Sequence, residues 1–230
     1  MTPDTLAAVM EATWPAARLW RQGPFLMRDG AGGGKRVSAA SLAGPWDDGD
    51  LAALEGMPEP LVLIREADTA LDAALEARGW QIIDPVVAYA APVATLQADL
   101  PPLSAFPHWP PLHIARAVWE DGGIGAARLA VMDRVAEPKA AILARLGDRP
   151  AGVAFAAVQQ GTAMLHALEV RPAMRRQGVG ETLLRAAANW AAAERATQLA
   201  LVVTARNTAA RALYTRIGMQ AVGQYHYRMK

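Results

Sequence analysis

Between Leu165 and Gly180 the chain reads Leu-His-Ala-Leu-Glu-Val-Arg-Pro-Ala-Met-Arg-Arg-Gln-Gly-Val-Gly, an apolar strand leading through a glycine turn into a helix. The end of this segment suits a pyrophosphate. Gly178 and Gly180 let the main chain approach closely, successive N–H groups open into one concavity, and a helix N-terminus adds partial positive charge. Arg175 and Arg176 bring formal charge to the same place. Alone, such a turn also serves plain packing. His166, twelve residues before Gly178, has a side chain whose ordinary pKa of about 6.5 suits it to taking a proton at neutral pH, although a lone strand histidine also reads as hydrogen-bonded structure.

Composition narrows the chemistry. The 230 residues include no cysteine and four scattered histidines, which removes thiolate nucleophiles and cysteine metal sites and argues against a metal centre. A net charge of +1, with both signs mixed along the chain, leaves no footprint for nucleic acid or an anionic membrane. No run of about 18 apolar residues occurs, and the N-terminus lacks a basic start followed by an apolar stretch. The expectation is a cytoplasmic protein without nucleic-acid or membrane partners.

Arg175, Gly178 and Gly180, following the strand, resemble the Arg/Gln-x-x-Gly-x-Gly/Ala signature of the GNAT acetyltransferase superfamily. A second stretch, Asn207 through Leu213-Tyr214 to Gly218-Met219, is similar to the family's Asn…Ala…Leu-Tyr…Gly-Phe segment. The resemblance covers roughly Leu112 to Lys230. It implies a mixed sheet whose central strands splay apart around acetyl-CoA. On that basis main-chain groups of Leu168 and Val170 hold the pantetheine arm, and Arg175, Arg176, Gln177, Gly178, Val179 and Gly180 hold the pyrophosphate, with Asn207 also at the cofactor. The implied reaction is direct transfer of an acetyl group to the primary amine of a small molecule or peptide.

The family's matching tyrosine makes Tyr214 the candidate proton donor to the departing sulfur, since a phenol with a pKa of about 10 stays protonated at pH 7. The same residue also reads as a ring packed in the core. The stretch around His166 is similar to arylalkylamine N-acetyltransferases, where a histidine at this position serves deprotonation through water. Met164 stands where lysine-directed members carry a glutamate base, which disfavours lysine-directed histone-type acetylation. Strand alternation turns Glu169 to the face opposite His166 and makes it a weaker candidate. Trp109, Trp119, Glu120 and Asp121 fall where the family builds its acceptor wall, suited to a cationic, partly apolar amine, although the default reading of the same residues is buried tryptophans and surface acids.

The elements that must position these residues follow from the hydropathy pattern. Ile114–Glu120 reads as a helix, and Ala140–Leu146, Ala151–Val158 and Ala163–Val170 as strands. A helix from Thr182 to about Arg195, a strand Leu199–Val203, a helix Thr208–Arg216 ending at Gly218, and a strand Met219–Met229 complete the half. Prolines 101, 102, 107, 110 and 111 read as a linker spanning 97–111. It would separate a catalytic domain, 112–230, from a first unit, 1–96.

In the first unit Ala74-Leu75-Glu76-Ala77-Arg78-Gly79-Trp80-Gln81 echoes Ala212 to Gln220, each between a strand such as Leu61–Ile64 and a strand-like run such as Ile82–Ala90. The expectation is an α/β, mixed-sheet tandem GNAT fold whose truncated first unit lacks the pyrophosphate turn and shapes the acceptor site or a homodimer surface. Gly30–Arg36 has neither the spacing nor the Ser/Thr of a phosphate loop and reads as a glycine-rich hairpin turn. Asp47-Asp48-Gly49-Asp50 reads as a helix cap. The alternative function is a non-catalytic acyl-CoA-binding module that regulates a partner.

Overall fold

The strand–helix–glycine–strand pattern that occurs twice in the sequence builds the middle of the molecule. The computed structural model describes residues 1–230. The first half runs α1 (Pro3–Thr13), β1 (Arg18–Gln22), β2 (Phe25–Asp29), β3 (Ala40–Leu42), α2 (Asp48–Glu55), β4 (Leu61–Arg65), α3 (Thr69–Ala77), β5 (Gln81–Pro92) and α4 (Val93–Leu96). The second runs β6 (Ala105–His108), α5 (His113–Asp121), α6 (Ala126–Arg134), β7 (Lys139–Leu146), β8 (Arg149–Gln159), β9 (Thr162–Val170), α7 (Val179–Ala193), β10 (Gln198–Thr204), α8 (Thr208–Arg216) and β11 (Gln220–Met229). Helices α3 and α8 each stop before a glycine in the left-handed region, Gly79 at φ +83° and Gly218 at φ +98°, a conformation a Cβ disfavours.

All eleven strands join one mixed sheet in the order β1-β2-β3-β4-β11-β5-β10-β9-β8-β7-β6. The two halves exchange their last strands. β5 leaves its own half to pair antiparallel with β10, and β11 leaves its half to pair antiparallel with β4. β5 and β11 then pair with each other at the centre. In both halves a helix joins two parallel strands, α2 between β3 and β4 and α7 between β9 and β10. This correspondence makes the first half a shortened copy of the second.

Alternation along the strands divides the side chains between two faces. Leu199 and Leu201 of β10 and Tyr89 of β5 pack with α7 and α8 on one face, where Val62 and Ile64 of β4 meet Leu71 and Leu75 of α3. The opposite face carries α1, α5 and α6. There Val118 and Trp119 cover Phe155, while Val9 and Met10 join a cluster containing Met164, Tyr225 and Tyr227. Helix α1 belongs to the first half in sequence yet packs over β8 and β9 of the second. Arg228 of β11 is buried and donates to Asp72 of α3 at 2.7 Å and to the Trp80 carbonyl at 2.9 Å, fastening the exchanged strand to the first half.

The proline-dense stretch is not wholly a connector, because Ala105–His108 is the edge strand β6, paired with β7 through Pro107 opposite Ile142. An edge strand has one free side, so it tolerates the N–H that proline lacks. The boundary near 97–111 divides the chain in sequence without dividing the sheet. Helix α6 has no counterpart among the expected elements.

Candidate functional site

Parallel pairing of β9 with β10 runs from Thr162 opposite Gln198 only as far as Leu165 opposite Leu201. Beyond that point the strands part, and the β9 edge from His166 to Val170 has no strand partner on the β10 side. A β-bulge assists the divergence. The pairing of β9 with β8 shifts by one residue between His166 and Glu169, and Ala167 takes φ +49°. The opening has a cleft on the α7/α8 face and a pocket on the α1/α6 face.

The cleft holds about 560 Å³ and gathers most of the expected cofactor residues: Leu168 and Val170 from β9, Arg175, Arg176 and Gly178 from the turn, Val179 and Gly180 from α7, and Asn207 and Tyr214 from α8. Gly178 is the residue before α7, at φ +84°, and no side chain caps the helix. The first N–H groups of α7 therefore lie open to a ligand. No atom lies within 4 Å of the place a Gly178 Cβ would occupy. This fits a pyrophosphate. The equivalent helix of the first half is closed: Asp47 and Asp50 cap α2 reciprocally at 3.1 and 3.0 Å and place carboxylates at its N-terminus.

Several side chains behave differently from expectation. Arg175 is tied to the Glu169 carboxylate and the Val170 carbonyl, each at 3.1 Å, so it braces the turn, while Arg176 has no side-chain partner. Gln177 turns back to donate to the Ala173 carbonyl at 3.0 Å and does not line the cleft. Asn207 caps α8 by accepting from the Ala210 N–H at 3.1 Å. Arg216, which sequence reasoning passed over, also lines the cleft.

Tyr214 is buried on the cleft side of α8, and its hydroxyl makes no hydrogen bond within the protein. Burial, then the neighbouring Tyr89 phenol, pushes its pKa up to about 12. The two rings lie 5.6 Å apart, and Tyr89 accepts from Arg211 Nε at 3.2 Å. Tyr89 sits on β5, so the first half supplies the packing partner of the second half's candidate donor.

His166 is on the other face and buried. Thr13 Oγ1 gives its proton to the Val9 carbonyl at 2.6 Å, so it accepts from His166 Nε2 at 2.9 Å. The remaining nitrogen, Nδ1, faces the Arg36 guanidinium at 3.4 Å. Burial, then the Arg36 charge, holds the imidazole pKa well below its ordinary value. A neutral ring with its lone pair against a cation is poorly placed to accept a substrate proton.

The alternation argument for Glu169 fails at the bulge. Its extra residue brings Glu169 opposite Val153 and His166 opposite Phe155, two β8 residues of one face, so both side chains share that face. The expected acceptor wall is also displaced. Trp119 is fully buried with its indole N–H on the Ala167 carbonyl at 2.7 Å, Asp121 pairs with Arg171, and Trp109 stacks under Lys139. None of these, nor Glu120, lines the pocket.

The pocket on the α1/α6 face holds about 350 Å³. Ala167 and Val202–Thr204 form its floor at the opening, Trp14, Tyr225 and Tyr227 supply aromatic walls, and Lys35, Arg36, Arg128, Arg206 and Asp84 supply charge. The sequence signal for this wall was the glycine run before Lys35-Arg36, read as a mere turn. The signature residues thus surround a divided sheet with a cleft on one side and a pocket on the other.

Comparison with the curated proteins finds no match. Among solved structures the chain is similar to a GCN5-related N-acetyltransferase from Kribbella flavida (TM-score 0.72, 19% identity, covering 100% of this chain and 96% of that one). It is also similar to a functionally unknown conserved protein from Staphylococcus epidermidis (TM-score 0.69, 11% identity, 94% of each chain). A third similar structure is described as a tandem GNAT protein from the clavulanic acid biosynthesis pathway (TM-score 0.62, 14% identity, 91% of this chain and 80% of that one). At these identities the likeness concerns the fold. Residues 101–219, more than half of the chain and including every residue lining the cleft, match the model of the Acetyltransferase (GNAT) family, and the chain belongs to that family.

Proposed function

We propose that the chain is an N-acetyltransferase that moves an acetyl group from acetyl-CoA to the primary amine of a small molecule or peptide. The observation that carries this reading is the unpaired stretch of β9 and β10, flanked by an uncapped α7 N-terminus on one side and an open pocket on the other. The α7 N–H groups and Arg176 would bind the pyrophosphate, and the free β9 edge from Leu168 to Val170 would align the pantetheine arm. Acetyl-CoA supplies an activated acetyl group. The amine nitrogen bonds to the acetyl carbon, the carbon–sulfur bond breaks, one proton leaves nitrogen and one reaches sulfur.

The chain's residues act on those protons. An alkylammonium with a pKa of about 10.4 is under one part in a thousand neutral at pH 7. The cations around the pocket favour the neutral amine, which supports deprotonation by water without a dedicated protein base. Asp84 is a poor candidate for that role, since the hydrogen bond from Lys35 at 2.7 Å, together with the Lys35 and Arg206 charges, holds its pKa below the usual range despite opposing burial. Tyr214 offers its unpartnered hydroxyl to the sulfur.

The test is acetyl-CoA binding and turnover with Gly178→Glu, which puts a carboxylate before α7. Acetyl-CoA affinity should fall at least 100-fold in calorimetry, with the fold retained by circular dichroism. Unchanged affinity in a folded variant overturns the cleft assignment, and wild-type binding without CoA release with any amine overturns the transferase reading.

A further inference from the structure

We infer that the acceptor amine carries a carboxylate, so that the substrate class is amino acids and their derivatives rather than polyamines or aminoglycosides. This rests on the transferase reading and concerns the pocket opposite the cleft. Four cationic side chains, Lys35, Arg36, Arg128 and Arg206, line it against one carboxylate, Asp84. Asp84 is already shared by Lys35 at 2.7 Å and Arg206 at 3.4 Å. Arg36 and Arg128 have no carboxylate partner in the protein.

Arg36 is half-buried. Its guanidinium lies between the His166 Nδ1 atom, 3.4 Å away, and the Trp14 ring, 5.4 Å from the centroid. A guanidinium partly removed from water and left without an anion is disfavoured, and a ligand carboxylate in the planar two-point arrangement that arginine offers would relieve that. A polyamine placed here would add positive charge to an uncompensated positive pocket. Specificity by unpaired like charge is strong, because the wrong ligand loses solvation and gains repulsion together.

The first half is built to deliver these charges. The Gly30–Gly34 loop after β2 crosses to α6 of the other half, where a Cβ on Gly33 would stand 2.6 Å from the Val131 side chain and one on Gly32 3.3 Å from Ala127. Any larger residue at Gly33 would lift the loop from α6. The loop thereby sets Lys35 and Arg36 beside Arg128, whose guanidinium passes 3.6 Å from the Cβ position of Gly34. Three of the four cations thus converge from two different halves. Aromatic walls of Trp14, Tyr225 and Tyr227 leave room for an apolar side chain, and about 350 Å³ suits a ligand between an amino acid and a dipeptide in size.

The experiment pairs amines that differ only by a carboxylate, phenylalanine with phenethylamine and lysine with cadaverine, and adds phosphoethanolamine with ethanolamine as a phosphate arm. The readouts are kcat/KM by thiol release and, independently of turnover, calorimetric binding of N-acetylphenylalanine and N-acetylphenethylamine to the full chain with CoA present. The carboxylate member of at least one pair should win by 30-fold or more in kcat/KM or in affinity, and Arg128→Ala should shrink that ratio at least 10-fold while acetyl-CoA affinity is retained. Equal use of both members, or a ratio indifferent to Arg128→Ala and Arg36→Gln alike, overturns the inference and leaves the transferase reading standing. Preference for the phosphate pair alone also overturns it. Carboxylate-selective, arginine-dependent binding without any transfer supports the anion-binding pocket and removes the transferase reading instead.

Discussion

Replacing Tyr214 by Phe separates packing from chemistry at one atom. The Tyr214 hydroxyl has no partner in the protein, so its loss orphans no other group, and the ring keeps its contact with Tyr89 at 5.6 Å. Stability should therefore change by no more than about 0.5 kcal/mol. The chemical effect follows from proton affinity. Burial holds the phenol pKa at about 12, and a thiol ordinarily has a pKa of about 8.5. Complete transfer of the phenol proton to a free thiolate would run uphill by roughly 5 kcal/mol at about 1.4 kcal/mol per pKa unit. The role proposed for Tyr214 is therefore that of a hydrogen-bond donor to developing negative charge on sulfur, with the amine's own proton or water completing the exchange. A hydrogen bond to a charged group contributes about 1.5–3 kcal/mol, so Tyr214→Phe should lower kcat roughly 10- to 150-fold. Stopped-flow thiol detection at saturating acetyl-CoA and acceptor, with calorimetry for acetyl-CoA affinity and a melting curve, provides the assay. A kcat within threefold of the parent refutes the sulfur-facing role, and a loss near 10⁴-fold refutes the donor-only argument in favour of full proton transfer.

The cap formed by Asp47 and Asp50 closes the first half's helix to anions, so calorimetry should return one acetyl-CoA per chain, and a stoichiometry of two would contradict the closed cap. The depressed His166 pKa makes stability rise with pH: the contribution is complete above about pH 6.5 and is lost as pH falls toward the folded-state value, because the unfolded chain takes up a proton that the native one resists. The unfolding free energy of the wild type from urea titrations should drop between pH 7.5 and 5 by up to about 1.4 kcal/mol per pH unit, with a shallower slope in His166→Gln, and parallel slopes would exclude this origin. A fragment comprising residues 97–230 lacks β5 and so exposes the edge of β10 and removes Tyr89, Ala91, Val93 and Leu96 from the larger core. It should show no cooperative unfolding transition, and a soluble, cooperatively melting fragment would mean that the exchanged strand is dispensable.

Local pattern determined much of this protein. Alternating and helical hydropathy placed β7 to β11, α5, α7 and α8 to within a few residues, since each is a stretch whose period matches its own structure. The turn at Arg175–Gly180 was legible because a glycine at positive φ before a helix leaves its mark in residue type alone. The repeat was legible for the same reason, in Gly79 and Gly218. Tertiary structure decided what depends on residues far apart in the chain. Strand exchange put Tyr89 against Tyr214, and no hydropathy pattern says which neighbour a strand will choose. A single extra residue in β9 reversed the side of Glu169, because a period of two has no tolerance for insertion. Burial, then the Arg36 charge, holds the His166 pKa low, and the ring's two partners, Thr13 and Arg36, stand 153 and 130 positions away. The charge of the pocket on the α1/α6 face gathers where the Gly30–Gly34 loop meets α6 beside Asp84 and Arg206, since electrostatic fields follow distance in space and not in sequence.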